Sequence, residues 1–113
     1  MYHELLADEP GLALPRVASH NLHAWHIYAV RVKTRNRDDV LRKMASRGIR
    51  CGVHYPVPVH LQRAFAFLNL RPGSFPVCER LSRQLLSLPI YPELTVEQIK
   101  LVASALRQSL KQA

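Results

Sequence analysis

The residues best suited to chemistry lie in the run His54-Tyr55-Pro56-Val57-Pro58-Val59-His60-Leu61-Gln62. An imidazole beside a phenol supplies two hydrogen-bonding groups and a route for a proton near neutral pH. Pro56 and Pro58 stiffen the backbone that carries them, because a proline ring locks φ. Adjacent residues leaving a strand point to opposite sides, so one of the pair can face a ligand while the other faces the core. The same spacing also suits two half-buried groups that satisfy loop carbonyls. Three more histidines, His20, His23 and His26, recur at three-residue intervals. They approach and enter a predicted strand rather than sharing a helix face, and no cysteine or acid stands nearby, so no metal site is expected.

Charge points to a second kind of chemistry. The 113 residues carry 16 Lys and Arg against 8 Asp and Glu, a formal net charge of +8. Half of the basic residues fall between Arg31 and Arg50: Arg31, Lys33, Arg35, Arg37, Arg42, Lys43, Arg47 and Arg50. Such a stretch attracts polyanions, from a nucleotide diphosphate to nucleic acid. It equally suits a solvated helix face with exposed strand ends. Aromatic residues are not interleaved with it and no recognition motif accompanies it, so nucleic acid is an unlikely partner. Cys51 and Cys78 are far apart and form no C-x-x-C, which predicts two reduced, largely buried thiols. No apolar run is long enough to cross a bilayer, and acids stand where a secretory signal is basic; a cytoplasmic protein is the expectation.

The elements that must position these groups can be read from periodicity. Residues 2–8 suit the end of a helix stopped by Pro10-Gly11, and 12–14 a short extended segment. Residues 25–32 alternate as a strand. Asn36 opens a helix, with Asp39 in a box-like position, Val40, Leu41, Met44 and Ala45 as its apolar stripe, and Gly48 at its end. Residues 49–55 read as a second strand, giving a strand–helix–strand unit that is right-handed if its strands are parallel neighbours. Residues 61–68 suggest a short helix burying Leu61, Ala64, Phe65 and Leu68. Pro76 suits a first helical position, with Val77, Leu81 and Leu85 as the buried face. Residues 87–90 predict a third strand. Thr95-Val96-Glu97-Gln98 is a capping box for the last helix, which turns Val96, Ile99, Val102, Ala103, Leu106 and Leu110 inward. These elements predict an α+β fold, a two-layer sandwich with a small three- to four-stranded mixed or antiparallel sheet packed by helices. A single domain over 1–113 is expected.

In order, the chain shows His23-x-x-His26-x-Tyr28, Arg37-Asp38, Gly48-Ile49 and His54-Tyr55-Pro56-x-Pro58-x-His60-Leu61-Gln62. Gly73-x-Phe75-Pro76-Val77-Cys78-Glu79 follows, then Leu86-Ser87-Leu88-Pro89-Ile90-Tyr91-Pro92-Glu93-Leu94-Thr95. Taken together these segments resemble, from end to end, the C-terminal small domain of the DegT/StrS family of pyridoxal-phosphate-dependent sugar-nucleotide aminotransferases. The resemblance implies the small-domain architecture of fold-type I enzymes, with residues 1–9 as the remnant of an interdomain helix. It implies that His54 and Tyr55 reach a nucleotide-sugar site, often across a dimer interface. His60 and Gln62 are read first as shaping the loop, Glu79 as capping the early helix, and Tyr91 as at most lining the cleft between domains. Cys78 stands where the family has a small residue, a change a core would tolerate.

Transamination needs a lysine to form a Schiff base, a carboxylate against the pyridinium nitrogen and donors for the phosphate. In the family these precede this segment. Lys33, Lys43, Lys100 and Lys111 are the only lysines, and none resembles the cofactor lysine. No catalytic residue, no metal ligand and no cofactor held by this chain alone are expected; pyridoxal phosphate belongs to the parent enzyme. The first functional expectation is therefore a small domain, silent alone, whose partner is the missing large domain or a second copy, dimer favoured. The alternative is a self-associating binding module derived from it, with Leu5, Leu6, Trp25 and Leu88 as its apolar surface. Anion or nucleic-acid binding is the weaker third.

Overall fold

The computed structural model describes residues 1–33 and 36–111. In chain order it holds helix α1 (Tyr2–Leu6), strands β1 (Leu12–Ala13) and β2 (Tyr28–Val32), and helix α2 (Arg37–Ser46). Two 3₁₀ turns follow (Val59–Leu61, Arg63–Leu68), then α3 (Pro76–Ser82), β3 (Leu85–Leu88) and α4 (Val96–Lys111). The sheet is antiparallel in the order β1-β2-β3, with Tyr28 opposite Leu88 and Val30 opposite Leu86. Period-two alternation sends Tyr28, Val30 and Val32 into the core, while Ala29 and Arg31 are half-buried on the other face. Helix α4 packs against α1 and α2, and α2 also meets β3. Leu6, Val30, Met44, Leu86 and Leu106 are among the most deeply buried side chains of the core, each under 2% exposed. The α+β expectation holds.

Several elements differ from their sequence reading. Residues 49–55 do not form a strand. They touch the sheet at one antiparallel bridge, Gly52 to Ser87, with N–H···O distances of 2.9 and 2.8 Å. The ladder cannot extend because of what the next positions of β3 are doing. The carbonyl of Leu85 accepts from Arg37 Nη1 at 2.8 Å, and Pro89 has no N–H while its carbonyl accepts from Tyr2 Oη at 2.9 Å. β3 thus lies between β2 and the bridging segment, so the condition for a right-handed crossover, two parallel neighbouring strands, is not met. β2 starts at Tyr28, not residue 25; Trp25 instead stacks on His23 with ring centroids 3.8 Å apart. Residues 61–68 form 3₁₀ turns that leave Ala64 and Leu68 exposed.

The caps are local and match the sequence closely. Thr95 N–H donates to Gln98 Oε1 at 2.9 Å and Gln98 N–H to Thr95 Oγ1 at 3.2 Å, closing the capping box. Asn36 Oδ1 accepts from Asp38 N–H at 2.8 Å, but Asp39 pairs with Arg42 rather than completing a box. Val96 and Ala45, expected inward, are exposed. No helix among the described residues is long and apolar enough to cross a membrane.

Candidate functional site

Gly52 positions His54. Its bridge to Ser87 brings the loop against β3, and the lack of a side chain leaves room for the imidazole beside it. His54 Nδ1 lies 2.9 Å from Ser87 Oγ, on a buried strand residue, while the ring itself is exposed. Tyr55 follows with 63% of its surface exposed. The phenol therefore turns outward, and the strand-like alternation expected for the pair gives way to a loop in which both reach solvent.

The far end of the loop has its own tie. His60 Nε2 sits 3.0 Å from Glu79 Oε1, the two side chains 8% and 11% exposed. The carboxylate also accepts the N–H of Gly73 at 2.8 and 2.9 Å and the N–H of Phe75, the N-cap of α3, at 3.2 Å. The Gly73 N–H holds the Glu79 carboxyl below its usual range, against the opposing pull of burial; Phe75 and His60 add to the lowering. Gln62 Nε2 donates to the Val57 carbonyl at 3.2 Å. The loop-shaping reading of His60 and Gln62 and the capping reading of Glu79 are thus what the geometry shows.

α3 is turned opposite to expectation. Its buried residues are the polar ones, Glu79 and Ser82, because Glu79 must reach back to the turn at Gly73 and Arg37 Nη1 binds the Ser82 carbonyl at 3.1 Å. Val77 is 56% exposed and Cys78 is exposed, not core; Leu85 belongs to β3. Arg37, read as part of a solvated basic face, is itself 6% exposed and caps the end of α3. Between α3 and the His54 loop runs an apolar groove of about 620 Å³, lined by Tyr55, Val57, Val59, Phe75, Val77 and Leu81 among others. On its other side His54 also lines a smaller cleft of about 240 Å³, together with His26, Arg50, Gly52 and Ser87.

The remaining candidates are dispersed. Arg31 contacts Gln84 and Arg47 the Lys43 carbonyl and Ser109, while Arg35 lies outside the described residues. No cluster of three or more metal-ligating side chains occurs among the described residues. Leu6 and Leu88, expected on an exposed apolar surface, are core, and Leu5 is half-buried; Trp25 alone of that set is exposed, at 37%. Tyr91 is exposed beside a third pocket with Tyr2, Trp25 and Tyr28. Among the described residues, no lysine and no carboxylate lines the groove or the cleft. That donor set does not fit pyridoxal phosphate, which needs an amine for its aldehyde and an acid for its ring nitrogen.

A model of the DegT/DnrJ/EryC1/StrS aminotransferase family matches residues 1–107. The chain belongs to that family. It is 42% identical over 106 residues to the erythromycin biosynthesis sensory transduction protein EryC1 of Saccharopolyspora erythraea, covering 94% of this chain and 28% of that protein. It is 43% identical over 103 residues to the dTDP-3-amino-3,4,6-trideoxy-alpha-D-glucose transaminase of Streptomyces venezuelae, covering 91% and 27%. The crystal structure of S. venezuelae DesV in complex with a ketimine intermediate superposes with a TM-score of 0.91 at 40% identity, over 99% of this chain and 30% of that one. The chain thus spans little more than a quarter of the length of the curated relatives it matches.

Proposed function

We propose that this chain is the small-domain portion of a pyridoxal-phosphate-dependent nucleotide-sugar aminotransferase and is silent by itself. Pyridoxal phosphate would be held by residues outside this chain, where it would supply the means of moving an amino group from an amino-acid donor to a keto sugar on a nucleotide diphosphate. The role of this chain's own residues is to bind and orient. His54 and Tyr55 present an imidazole and a phenol at the mouth of an apolar groove, and residues 1–9 continue toward the large domain. The observation that carries the reading is the double tethering of the His54 loop, to Ser87 at one end and to Glu79 at the other. It holds both side chains toward solvent, their rings edge to face with centroids 5.7 Å apart, which suits groups awaiting a second surface.

The test is a chimera in which these 113 residues replace the matching segment of the S. venezuelae transaminase. Turnover of the keto-sugar nucleotide by the chimera, with no turnover and no Schiff-base absorption from the isolated chain, supports the proposal. His54→Gln and Tyr55→Ala should then raise KM for the nucleotide sugar. A chimera that folds and binds cofactor yet tolerates both changes removes their assigned role.

A second reading is favoured by the outward apolar face of α3: a stand-alone module that associates with itself through that face. A strictly monomeric chain that binds no hydrophobic dye would argue against it. Both readings fit a dimer.

A further inference from the structure

We infer that Ser87 is a positioning residue for His54: its hydroxyl donates to Nδ1 and so fixes the neutral imidazole with its hydrogen on Nε2. His54 then meets a ligand as a hydrogen-bond donor and not as a base. The contact measures 2.9 Å and joins a serine only 5% exposed to a ring that reaches solvent. Which partner gives the hydrogen follows from what else each could bind. Leu86 and Leu88 enter the core, so alternation along β3 turns the Ser87 side chain to the opposite face of the sheet. Its cross-strand neighbour there is Ala29 and its bridge partner is Gly52, and neither has a side-chain acceptor. The Gly52 carbonyl already takes the Ser87 N–H at 2.8 Å. Among the described residues, His54 Nδ1 is therefore the acceptor that the hydroxyl finds. A hydroxyl that accepted from Nδ1–H instead would leave its own hydrogen buried without a partner, the costlier arrangement.

The consequence lies at the other nitrogen. A neutral imidazole whose Nδ1 accepts carries its one hydrogen on Nε2, and Nε2 makes no hydrogen bond among the described residues. The ring borders both the apolar groove and the smaller cleft, so that N–H is available to a carbonyl, hydroxyl or oxyanion oxygen seated in either. No in-plane lone pair remains with which to take a proton. The residue types alone allow His54 to relay a proton or to donate a hydrogen bond; the serine beneath it selects the second. Ser87 also limits rotation of the ring, since the imidazole lies over Gly52 where a Cβ would come within 2.7 Å of it. The serine thus sets both the direction and the tautomer of a group that acts for it. That the ligand is a nucleotide sugar rests on the proposed function; the tautomer does not.

The experiment is a long-range proton–nitrogen correlation spectrum of the histidine rings at about pH 8.5, about two units above the ordinary imidazole value. His54 should show one tautomer, with hydrogen on Nε2, while exposed His20, which has no partner among the described residues, shows the mixture of a free imidazole. Ser87→Ala should return His54 to that mixture, and Ser87→Thr, which keeps the hydroxyl, should restore the single form. Hydrogen on Nδ1 in the parent chain overturns the inference without recourse to any variant. So does a single Nε2 form that survives Ser87→Ala. In the chimera with the S. venezuelae transaminase, Ser87→Ala should raise KM for the nucleotide sugar about threefold with kcat held. A fall in kcat with KM held would mean that His54 handles a proton, and would overturn the donor role. A tautomer that responds to Ser87→Ala while KM does not upholds the serine's hold on the ring and counts against the binding role proposed for His54.

Discussion

Gly52 and Ser87 hold His54 from two sides, one by leaving space and the other by a hydrogen bond. A Cβ placed on Gly52 would lie 2.7 Å from His54 Cε1, closer than carbon atoms approach. The ring is the movable partner, so Gly52→Ala should swing the imidazole away and break its contact with Ser87. The expected cost is about 1 kcal/mol in urea unfolding, the worth of one neutral hydrogen bond. The His54 ring resonances should shift while those of His60 stay in place; unchanged His54 resonances would mean the backbone, not the ring, yields. The cysteines allow a simpler check at the same scale. Burial pushes the Cys51 thiol up to about 11, whereas Cys78 is exposed at the edge of the apolar groove. With a thiol reagent at pH 8, Cys78 should react rapidly and Cys51 only on unfolding. Equal rates would contradict the placement of α3. A core position for Cys78 was the reading of the sequence, and it fails because a helical stripe tells which residues share a face, not which face meets the body.

At the scale of elements, the His60–Glu79 contact couples the loop after Gly52 to the start of α3. Glu79 receives two backbone N–H groups and an imidazole with one carboxylate, so protonating it weakens all three contacts together. Its folded-state pKa is depressed from the ordinary 4.5, so its stabilisation is complete above that value and is lost as pH falls through the lower, folded one. Asp8, held down first by its hydrogen bond from Arg107, adds to the same slope. Glu79→Gln should therefore flatten part, not all, of the stability decline measured between about pH 5 and 3. Hydrogen exchange of residues 54–62 should quicken in the variant at pH 7. An unchanged acid slope would show that the carboxylate does not carry this tie. Caps of this kind were legible: the Thr95–Gln98 box and the Glu79 turn involve residues three to six apart. The single bridge at Gly52 was not, because it depends on Arg37 claiming the Leu85 carbonyl from 48 residues away. Alternation in residues 49–55 could describe a strand but not reveal that its partner's groups were already taken.

Across the whole molecule, burial is uneven. The core joins α1, the sheet, α2 and α4, yet from residue 54 to 78 no residue is buried. The radius of gyration, 15.4 Å, exceeds the roughly 13 Å of a compact chain near this length. That long arm carries Tyr55, Val57, Val59, Phe67, Phe75 and Val77 in exposed positions. Its ties are the two histidine contacts and the Arg37 cap, with local packing of His60 edge-on against Phe75 and of the half-buried Leu61 and Phe65, but no fully buried side chain. An apolar surface supported this way gains little by staying in water and much by being covered. Val77 isolates the effect, since it faces away from the core and its loss should not touch the fold. Val77→Asp should leave the thermal midpoint within about 2 °C of the parent, as for surface changes below about 0.5 kcal/mol. The same change should abolish the self-association that sedimentation velocity is expected to show for the parent at tens of micromolar. If Val77→Asp instead lowers stability as a core truncation does, by about 2 kcal/mol or more, α3 packs with its apolar face inward and the groove is closed in solution. If it alters neither stability nor association, the surface that joins two copies lies elsewhere on the arm, and Phe67 becomes the next side chain to change.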